Sequence, residues 1–224
     1  MMNMIKSKPY QRLMKREEIE AMFQSMHRHL PNPKGELRYV NPYTLLVAVV
    51  LSAQATDKSV NLATESLFKK VQTPEQMLAL GEETLRVHIK TIGLYRTKAR
   101  NVIALSQQLI EHHQSHVPRE RAALEKLPGV GRKTANVVLN IAFGKPTIAV
   151  DTHLFRLANR LGLAPAHNVL EVEKSLEKRI PKKWRLFAHH WLILHGRYIC
   201  MARKPKCHSC HIAAFCQYKD KVLT

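Results

Sequence analysis

Apolar residues recur at helical spacing along almost the whole chain. They return every third or fourth position over long stretches, and no run keeps up a strict alternation of apolar and polar residues. The pattern predicts an all-α fold of about nine or ten short helices, since the mean helix has about a dozen residues. Turns are expected where glycine or proline interrupts the pattern, at 32–35, Gly81, Gly93, 117–118, 144–146 and Pro181.

Two helix starts carry capping signals. Thr73 is followed by Pro74 and, three residues after the threonine, by Gln76, which is the arrangement of a capping box with proline at the first helical position. Asp151 precedes another apolar helical pattern and is expected to cap that helix.

A short segment echoes another one farther along the chain. Residues 93–99 (GLYRTKA) resemble residues 129–135 (GVGRKTA), and an apolar helical pattern follows each of them. Chance explains such a likeness at least as well as a repeat does. If the echo is structural, it predicts a second tight turn into a basic helix, with three cations available to phosphates: Arg96, Lys98 and Arg100.

The charge balance predicts a polyanionic partner. Lysine and arginine number 36 against 17 aspartates and glutamates, which gives a net charge of +19 over 224 residues. Aromatic residues make up only 6% of the chain, which disfavours a stacking platform for single strands. We therefore expect double-stranded DNA, contacted through its backbone.

No segment has the composition of a membrane span or a secretory signal. The longest apolar run, residues 45–51 (LLVAVVL), is too short to cross a bilayer and is typical of a buried helix. Residues 1–16 carry basic side chains and no acidic one, without an apolar stretch or a cleavage site. We interpret them as a frayed terminus, with a DNA-contacting arm or an organelle address as alternatives. We expect a monomer in the cytoplasm, associated with the nucleoid if the source is bacterial.

A glycine hairpin at residues 127–135 (LPGVGRKTA) is the strongest local signal for chemistry. Gly129 and Gly131 permit a tight turn whose backbone amides, with those of the helix that follows at Arg132, form a nest suited to a phosphate. Lys133 opens that helix, where the positive end of the dipole disfavours an ammonium ion, and a desolvating cleft would make the lysine a neutral nucleophile. From the residues alone, a phosphate contact is the commoner role for such a lysine.

The four cysteines form one set near the end of the chain. They are spaced C-x6-C-x2-C-x5-C, at Cys200, Cys207, Cys210 and Cys216. Two disulfides are not expected in an intracellular chain, so the pattern predicts a metal centre. Only one CxxC pair is present, and the spacing alone leaves an iron–sulfur cluster and a zinc ion equally open. Three cations between the first two cysteines are expected either to contact a DNA backbone or to form a solvated loop: Arg203, Lys204 and Lys206.

Together these motifs resemble the endonuclease III family of helix-hairpin-helix DNA glycosylases. The resemblance runs from about residue 34 to the end of the chain and rests on motifs in the family's order: 51–57 (LSAQATD), 89–95 (IKTIGLY), the hairpin, 148–153 (IAVDTH), 190–198 (HWLILHGRY) and the cysteines. It implies a six-helix barrel lobe at 35–145, with the hairpin at 127–135. It also implies a second lobe, made of 1–34 and 146–224, whose loop at 200–216 holds a [4Fe-4S] cluster, with the active site in the cleft between the lobes.

The same resemblance implies roles for individual residues. Lys133 is the Schiff-base nucleophile and Asp151 the carboxylate that assists it, although an aspartate before a helix is most often only a cap. A base in duplex DNA must be extruded before it can react, and something must fill the gap. Gln54 matches the residue that hydrogen-bonds the orphaned base, and Leu94 matches the one that wedges into the stack. Without the resemblance they would be a polar loop residue and a core residue beside a turn.

The activity that the resemblance implies is that of a bifunctional DNA glycosylase/AP lyase. Such an enzyme removes oxidised pyrimidines from damaged double-stranded DNA and cleaves 3′ to the abasic site by β-elimination. An adenine DNA glycosylase lacks a lysine at the position of Lys133, and a mismatch-specific thymine or uracil glycosylase is disfavoured for the same reason. A non-enzymatic DNA-binding module with a redox-sensing cluster explains the charge, the hairpin and the cysteines, but leaves Lys133 and Asp151 unexplained.

Overall fold

The computed structural model describes residues 9–222, which fold into helices joined by short loops. Among these residues there is no β-strand, and a single bridge pairs Tyr10 with Tyr218. The predicted all-α class is confirmed. No described helix is long and apolar enough to cross a bilayer. The α-helices are α1 (Arg16–His29), α2 (Pro42–Leu51), α3 (Asp57–Thr64), α4 (Pro74–Leu80), α5 (Glu82–Ile89), α6 (Tyr95–His113), α7 (Arg121–Leu124), α8 (Arg132–Phe143), α9 (Thr152–Leu161), α10 (Val169–Arg179) and α11 (Arg185–Tyr198), with 3-10 turns at Lys182–Trp184 and Cys207–Ser209.

The chain divides into two compact units. The first, here called the hairpin unit, is Gly35–Lys145 and contains α2 to α8. The second, here called the cysteine unit, comprises the described residues up to Lys34 and from Pro146 onward, so it contains α1 and α9 to α11. The cysteine unit is thus assembled from two separate stretches of sequence.

The hairpin unit is organised around α2, whose residues are buried from Tyr43 to Leu51. A helix that is apolar on every side is stable only inside a core, and α2 packs against α8, α6 and α3. Asn41 caps it by accepting a hydrogen bond from the amide of Thr44 at 2.9 Å. The buried helix predicted from the apolar run at residues 45–51 is therefore confirmed.

Helix α6 of the hairpin unit buries a lysine. Lys98 is only 4% exposed and shares a helix face with Val102 and Leu105, which are both buried. Its Nζ has no hydrogen-bond partner among the described residues, and burial lowers the pKa of this amine. The expectation that Lys98 is available to phosphates is therefore wrong, whereas Arg96 and Arg100 are exposed.

The cysteine unit packs α1 onto helices from the later part of the chain. The ring of Phe23 in α1 lies 6.1 Å from that of Trp191 in α11, and the indole Nε1 of Trp191 donates to the carbonyl of Leu30 at 2.8 Å. Helices α9 and α11 approach closely at Gly196, where a Cβ would lie 3.1 Å from the Cβ of His153. The early segment of the chain therefore completes a core built mainly by residues after 146.

Residues 9–14, here called the strap, run beside the end of the chain. Two backbone hydrogen bonds join them to residues 217–219, and Met14 at the end of the strap is only 2% exposed. The frayed terminus expected for residues 1–16 is therefore wrong for the strap. Two basic residues of that segment lie outside the described residues, namely Lys6 and Lys8.

Candidate functional site

The hairpin is a tight turn held against the core of its unit. The amide of Val130 donates to the carbonyl of Leu127 at 3.0 Å, and both side chains are buried. Gly129 has a φ of +77°, and a Cβ there would lie 3.0 Å from Nδ2 of Asn101 and 3.2 Å from Cγ1 of Val50. Glycine combines this backbone conformation with this close approach, because it has no Cβ. The seating of the turn on α6 and α2 therefore depends on Gly129.

Lys133 lies in the first turn of α8, directly after the hairpin. Gly131 is the N-cap residue of this helix, and no side chain caps it. Gly131 and Lys133 are exposed, and Arg132 between them is partly exposed. The first amides of a helix have no partner within the helix and attract anions together with the helix dipole. The hairpin thus places the positive end of a helix dipole and an exposed lysine side chain at one point of the surface.

Gln54 and Leu94 share an unusual backbone conformation. Their φ angles are +54° and +60°, in the left-handed region that residues with a side chain rarely adopt. Such a conformation costs about 1–3 kcal/mol and tends to occur at functional sites. Both side chains are exposed, and that of Leu94 is 60% exposed. Leu94 is therefore not the core residue that it would be without the resemblance.

Asp151 is the N-cap residue of α9. Its Oδ1 accepts hydrogen bonds from the amides of His153 and Leu154, both at 2.9 Å. The predicted cap is confirmed, and the two bonds give the carboxylate a fixed orientation. Asp151 belongs to the cysteine unit, whereas Lys133 belongs to the hairpin unit.

All four cysteines line one cavity of the cysteine unit. None of the four forms a disulfide. Burial raises the pKa of the Cys210 thiol to about 11 and raises that of Cys216 as well. Three sulfurs have a nitrogen nearby: Nη1 of Arg160 lies 3.6 Å from Cys200, Nε2 of His195 lies 3.5 Å from Cys210, and the amide of Tyr218 lies 3.4 Å from Cys216. Four thiols around one cavity suit metal-bound thiolates, and the N–H groups of Arg160 and Tyr218 donate to two of the sulfurs.

The loop between the first two cysteines carries its cations on the surface. Arg203, Lys204 and Lys206 are all exposed. Lys204 has a φ of +50°, so the backbone of this loop is in an unfavourable conformation at one of the three cations. The predicted basic loop is thus accessible to a phosphate backbone.

Comparison with known proteins identifies the family. The sequence profile of the HhH-GPD superfamily of base excision DNA repair proteins matches residues 47–182. Endonuclease III of Rickettsia conorii is 58% identical over 205 residues, which are 92% of this chain and 98% of that protein. The chain belongs to the endonuclease III family. Endonuclease III of Escherichia coli K12 is also 58% identical, over 86% of this chain and 91% of its own length.

Solved structures show the same fold as this endonuclease III family member. A trapped covalent intermediate of endonuclease III with DNA matches 92% of this chain and 97% of its own, with a TM-score of 0.85 and 47% identity. A thermostable thymine-DNA glycosylase matches 92% of this chain and 98% of its own, with a TM-score of 0.82 and 26% identity. The chain is a DNA glycosylase/AP lyase of base excision repair, and its partner is damaged DNA.

Two arginines of α9 were missed by reasoning from the sequence. In this endonuclease III family member, Nη2 of Arg156 donates to the carbonyls of Gly196 at 2.6 Å and Cys200 at 3.0 Å. Arg160, one turn later, contacts the residues that follow Cys200. Helix α9 therefore carries Asp151 at its start and holds the first cysteine from its middle. The available signal was a pair of arginines four residues apart on the helix that Asp151 caps.

Proposed function

We propose that this enzyme removes oxidised pyrimidines from duplex DNA with Lys133 as its nucleophile, and then cleaves the strand 3′ to the abasic site. The observation that carries the proposal is the exposed amine of Lys133 in the first turn of α8, behind the hairpin. A phosphate held at the start of this helix would bring a deoxyribose within reach of the amine. The covalent DNA intermediate of a relative that is 47% identical supports covalent chemistry.

The proposed reaction begins when the amine of Lys133 attacks C1′ of the sugar. The bond from C1′ to the base breaks, and the base leaves with the electron pair and takes up a proton. Positive charge develops on the sugar, and the carboxylate of Asp151 stabilises it. The C1′–O4′ bond then breaks, and O4′ takes up the proton that the nitrogen of Lys133 loses. This ring opening leaves an iminium between Lys133 and C1′, which acidifies the protons on C2′. Loss of one of them forms the C2′–C3′ double bond and expels the phosphate from C3′.

Gln54 and Leu94 are proposed to fill the space that the extruded nucleotide leaves. Both side chains are exposed on backbone in the left-handed region, which holds them away from the core at some cost in stability. An apolar side chain can then separate neighbouring base pairs, and an amide can pair with the orphaned base. The duplex backbone is proposed to bind at Gly129, Gly131 and Arg132.

We further propose that the four cysteines hold a [4Fe-4S] cluster. The four thiols line one cavity of the cysteine unit, so a single centre can bind all of them. Membership of the endonuclease III family favours an iron–sulfur cluster over a zinc ion at this centre. When bound, the cluster would cross-link the loop at 200–216, whose cations Arg203, Lys204 and Lys206 are proposed to contact the DNA backbone.

The organisation of the enzyme follows from these assignments. The lobe with the nucleophile corresponds to residues 35–145, and the lobe with the cluster to 1–34 and 146–224. We place the enzyme, as a monomer, in the cytoplasm or on the nucleoid of a bacterium, where its substrate lies.

Borohydride trapping tests the nucleophile. Wild type, Lys133→Ala and a control, Lys126→Ala, are incubated with a duplex that contains one thymine glycol or one abasic site. Lys126 is exposed in the same unit just before the hairpin, so its loss removes the same charge. We expect a covalent complex with wild type and with the control, and none with Lys133→Ala. A covalent complex with Lys133→Ala would show that another residue is the nucleophile. If all three proteins bind the duplex tightly and none forms a covalent complex, the enzyme is a monofunctional glycosylase.

A further inference from the structure

Arg160 holds the basic segment of the loop, residues 201–206, from one side. Its Nη1 donates to the carbonyl of Met201 at 2.7 Å, and its Nη2 donates to that of Ala202 at 3.0 Å. Nη1 also lies 3.6 Å from Sγ of Cys200. A guanidinium presents its donors in a rigid plane, so bonds to successive carbonyls fix where the backbone lies.

The basic segment needs such support because it lacks regular structure. Residues 201–206 lie outside the helices, and Lys204 has its φ at +50°. The amide of Lys206 donates to the carbonyl of Ile199 at 2.9 Å and so closes the segment into a loop. An unfavourable backbone conformation persists only where the surrounding structure stabilises it. The carbonyls that Arg160 binds come directly before the three cations, so Arg160 can give this support.

Tyr218 covers Arg160. The centroid of its ring lies 4.5 Å from Cζ of Arg160, which is a cation–π contact. The amide of Tyr218 donates to Sγ of Cys216 at 3.4 Å, so the residue that covers the guanidinium is also tied to the last cysteine. Tyr218 thereby restricts the positions that the Arg160 side chain can take.

The strap holds Tyr218 in turn. On one side of this residue the amide of Gln11 donates to the carbonyl of Gln217 at 2.8 Å, and on the other the amide of Lys219 donates to the carbonyl of Pro9 at 3.1 Å. Because backbone hydrogen bonds flank Tyr218 on both sides, they fix its position relative to the strap. The described part of the N-terminal segment therefore belongs to the surroundings of the cysteine loop.

The far end of the strap is fixed at the end of α9. The amide of Met14 donates to the carbonyl of Gly162 at 3.0 Å, and the Met14 side chain is buried. Gly162 has a φ of +67°, and a Cβ there would clash with the carbonyl oxygen of Arg12. The strap thus passes so close over Gly162 that it leaves no room for a side chain.

We propose that Arg160 is a positioning residue that sets the basic segment for the DNA backbone, and that the strap keeps Arg160 in place through Tyr218. The inference rests on the proposed function, in which the three cations of this segment contact DNA. A loop that is already ordered loses less conformational entropy when it binds than a mobile loop with the same charges.

Limited digestion with trypsin tests the position of the segment without DNA. Arg160→Met removes the carbonyl bonds, Tyr218→Leu removes the ring, and Tyr218→Phe keeps the ring. As a control, Arg119→Met removes one charge and a contact with the ring of Phe143, at 5.2 Å, in the hairpin unit. We expect Arg160→Met and Tyr218→Leu to be cut after Arg203 and Lys206 about tenfold faster than wild type, because cleavage follows the population of the open loop. Tyr218→Phe and Arg119→Met are expected to be cut at the wild-type rate.

Binding of undamaged duplex at several salt concentrations gives a second readout. Each phosphate contact contributes about 0.9 to the slope of log K against log salt, so loss of one to three contacts lowers the slope by about that many units. We expect this loss in Arg160→Met and Tyr218→Leu but not in Tyr218→Phe. Wild-type digestion in both Arg160→Met and Tyr218→Leu would overturn the positioning role. A different outcome would refute the proposed contact of the loop with DNA. In that outcome Arg160→Met and Tyr218→Leu are digested faster than wild type, but the salt slope is unchanged in both variants and in Lys204→Ala.

A matched pair of glycine variants tests the strap. Gly162 and Gly144 both end a helix in the left-handed region, with φ of +67° and +61°, and a Cβ at Gly144 meets nothing within 4 Å. Alanine brings similar backbone strain to both positions, but only Gly162→Ala displaces the strap. We expect trypsin to cut the basic segment faster in Gly162→Ala than in Gly144→Ala. Equal rates in the two variants would overturn the role of the strap.

Discussion

Asp151 has two tasks that substitution can separate. It caps α9 through Oδ1, and in the proposed mechanism its charge stabilises the sugar. Asparagine can accept the same amide bonds without the charge, and alanine can do neither. We expect Asp151→Ala to lower the free energy of unfolding by about 1 kcal/mol, and Asp151→Asn to change it far less. Both should slow base excision by about 10²–10³-fold, because each lacks the charge that stabilises the transition state.

Urea unfolding and single-turnover excision measure these two effects. Wild-type turnover by Asp151→Asn would reduce Asp151 to a helix cap. The cap itself was predictable from the sequence because it depends on residues two and three positions away. The same holds for Thr73, whose Oγ1 accepts from the amide of Gln76 at 3.3 Å as the capping signal predicts. The left-handed backbone of Gln54 and Leu94 was not predictable, since neither is glycine and the surrounding fold imposes the conformation.

At the scale of the element, α6 carries one residue that opposes its own packing. Lys98 lies on the buried face of this helix, and burial lowers the pKa of its amine. A lysine with a lowered pKa in the folded state binds fewer protons there than in the unfolded state. Its cost to stability is therefore full at low pH and disappears as the pH rises toward the ordinary lysine value of about 10.4.

We expect Lys98→Met to be more stable than wild type at pH 7, because methionine fills a similar volume without a buried charge. The advantage should shrink as the pH is raised above the pKa of the buried amine. Urea unfolding of both proteins at pH 7 and at pH 10 measures the difference. A Lys98→Met variant less stable than wild type at both pH values would mean that the amine stabilises the fold. The helical period of the sequence could predict that Lys98 lies on the buried face, since positions 98, 102 and 105 fall on one side of the helix.

At the scale of the whole molecule, the cysteines are part of the packing of their unit. Cys200, Cys210 and Cys216 lie against the core that contains Trp191, and both tryptophans of the chain belong to this unit. Because metal binding contributes to folding, chelation of the proposed iron should lower the temperature at which tryptophan emission shifts to the red. Hydrogen exchange should become faster in α11, whereas the exchange rates of α2 and α8 should change less. Unaltered protection of α11 after loss of the iron would contradict this expectation.

What the sequence could predict at this scale depends on the distance between interacting residues. Helices, caps and the hairpin follow from neighbours along the chain, and the cysteine spacing marks its own site. The strap joins residues from opposite ends of the chain, and its position is set by a glycine at the end of α9 that gives no local sign of a partner. The support that Arg156 and Arg160 give to the loop is hidden for the same reason, because their acceptors are backbone carbonyls some forty residues away.

The antiparallel pairing of residues 9–11 with 217–219 also has a mechanical consequence. The two segments enter this seam from the same end, so a force that pulls the chain by its ends would load the hydrogen bonds one after the other, as in a zipper. Sequential loading needs far less force than shearing a helix from its neighbours. Under tension the seam would therefore open first. The force would then act on Cys216, because this residue directly precedes Gln217.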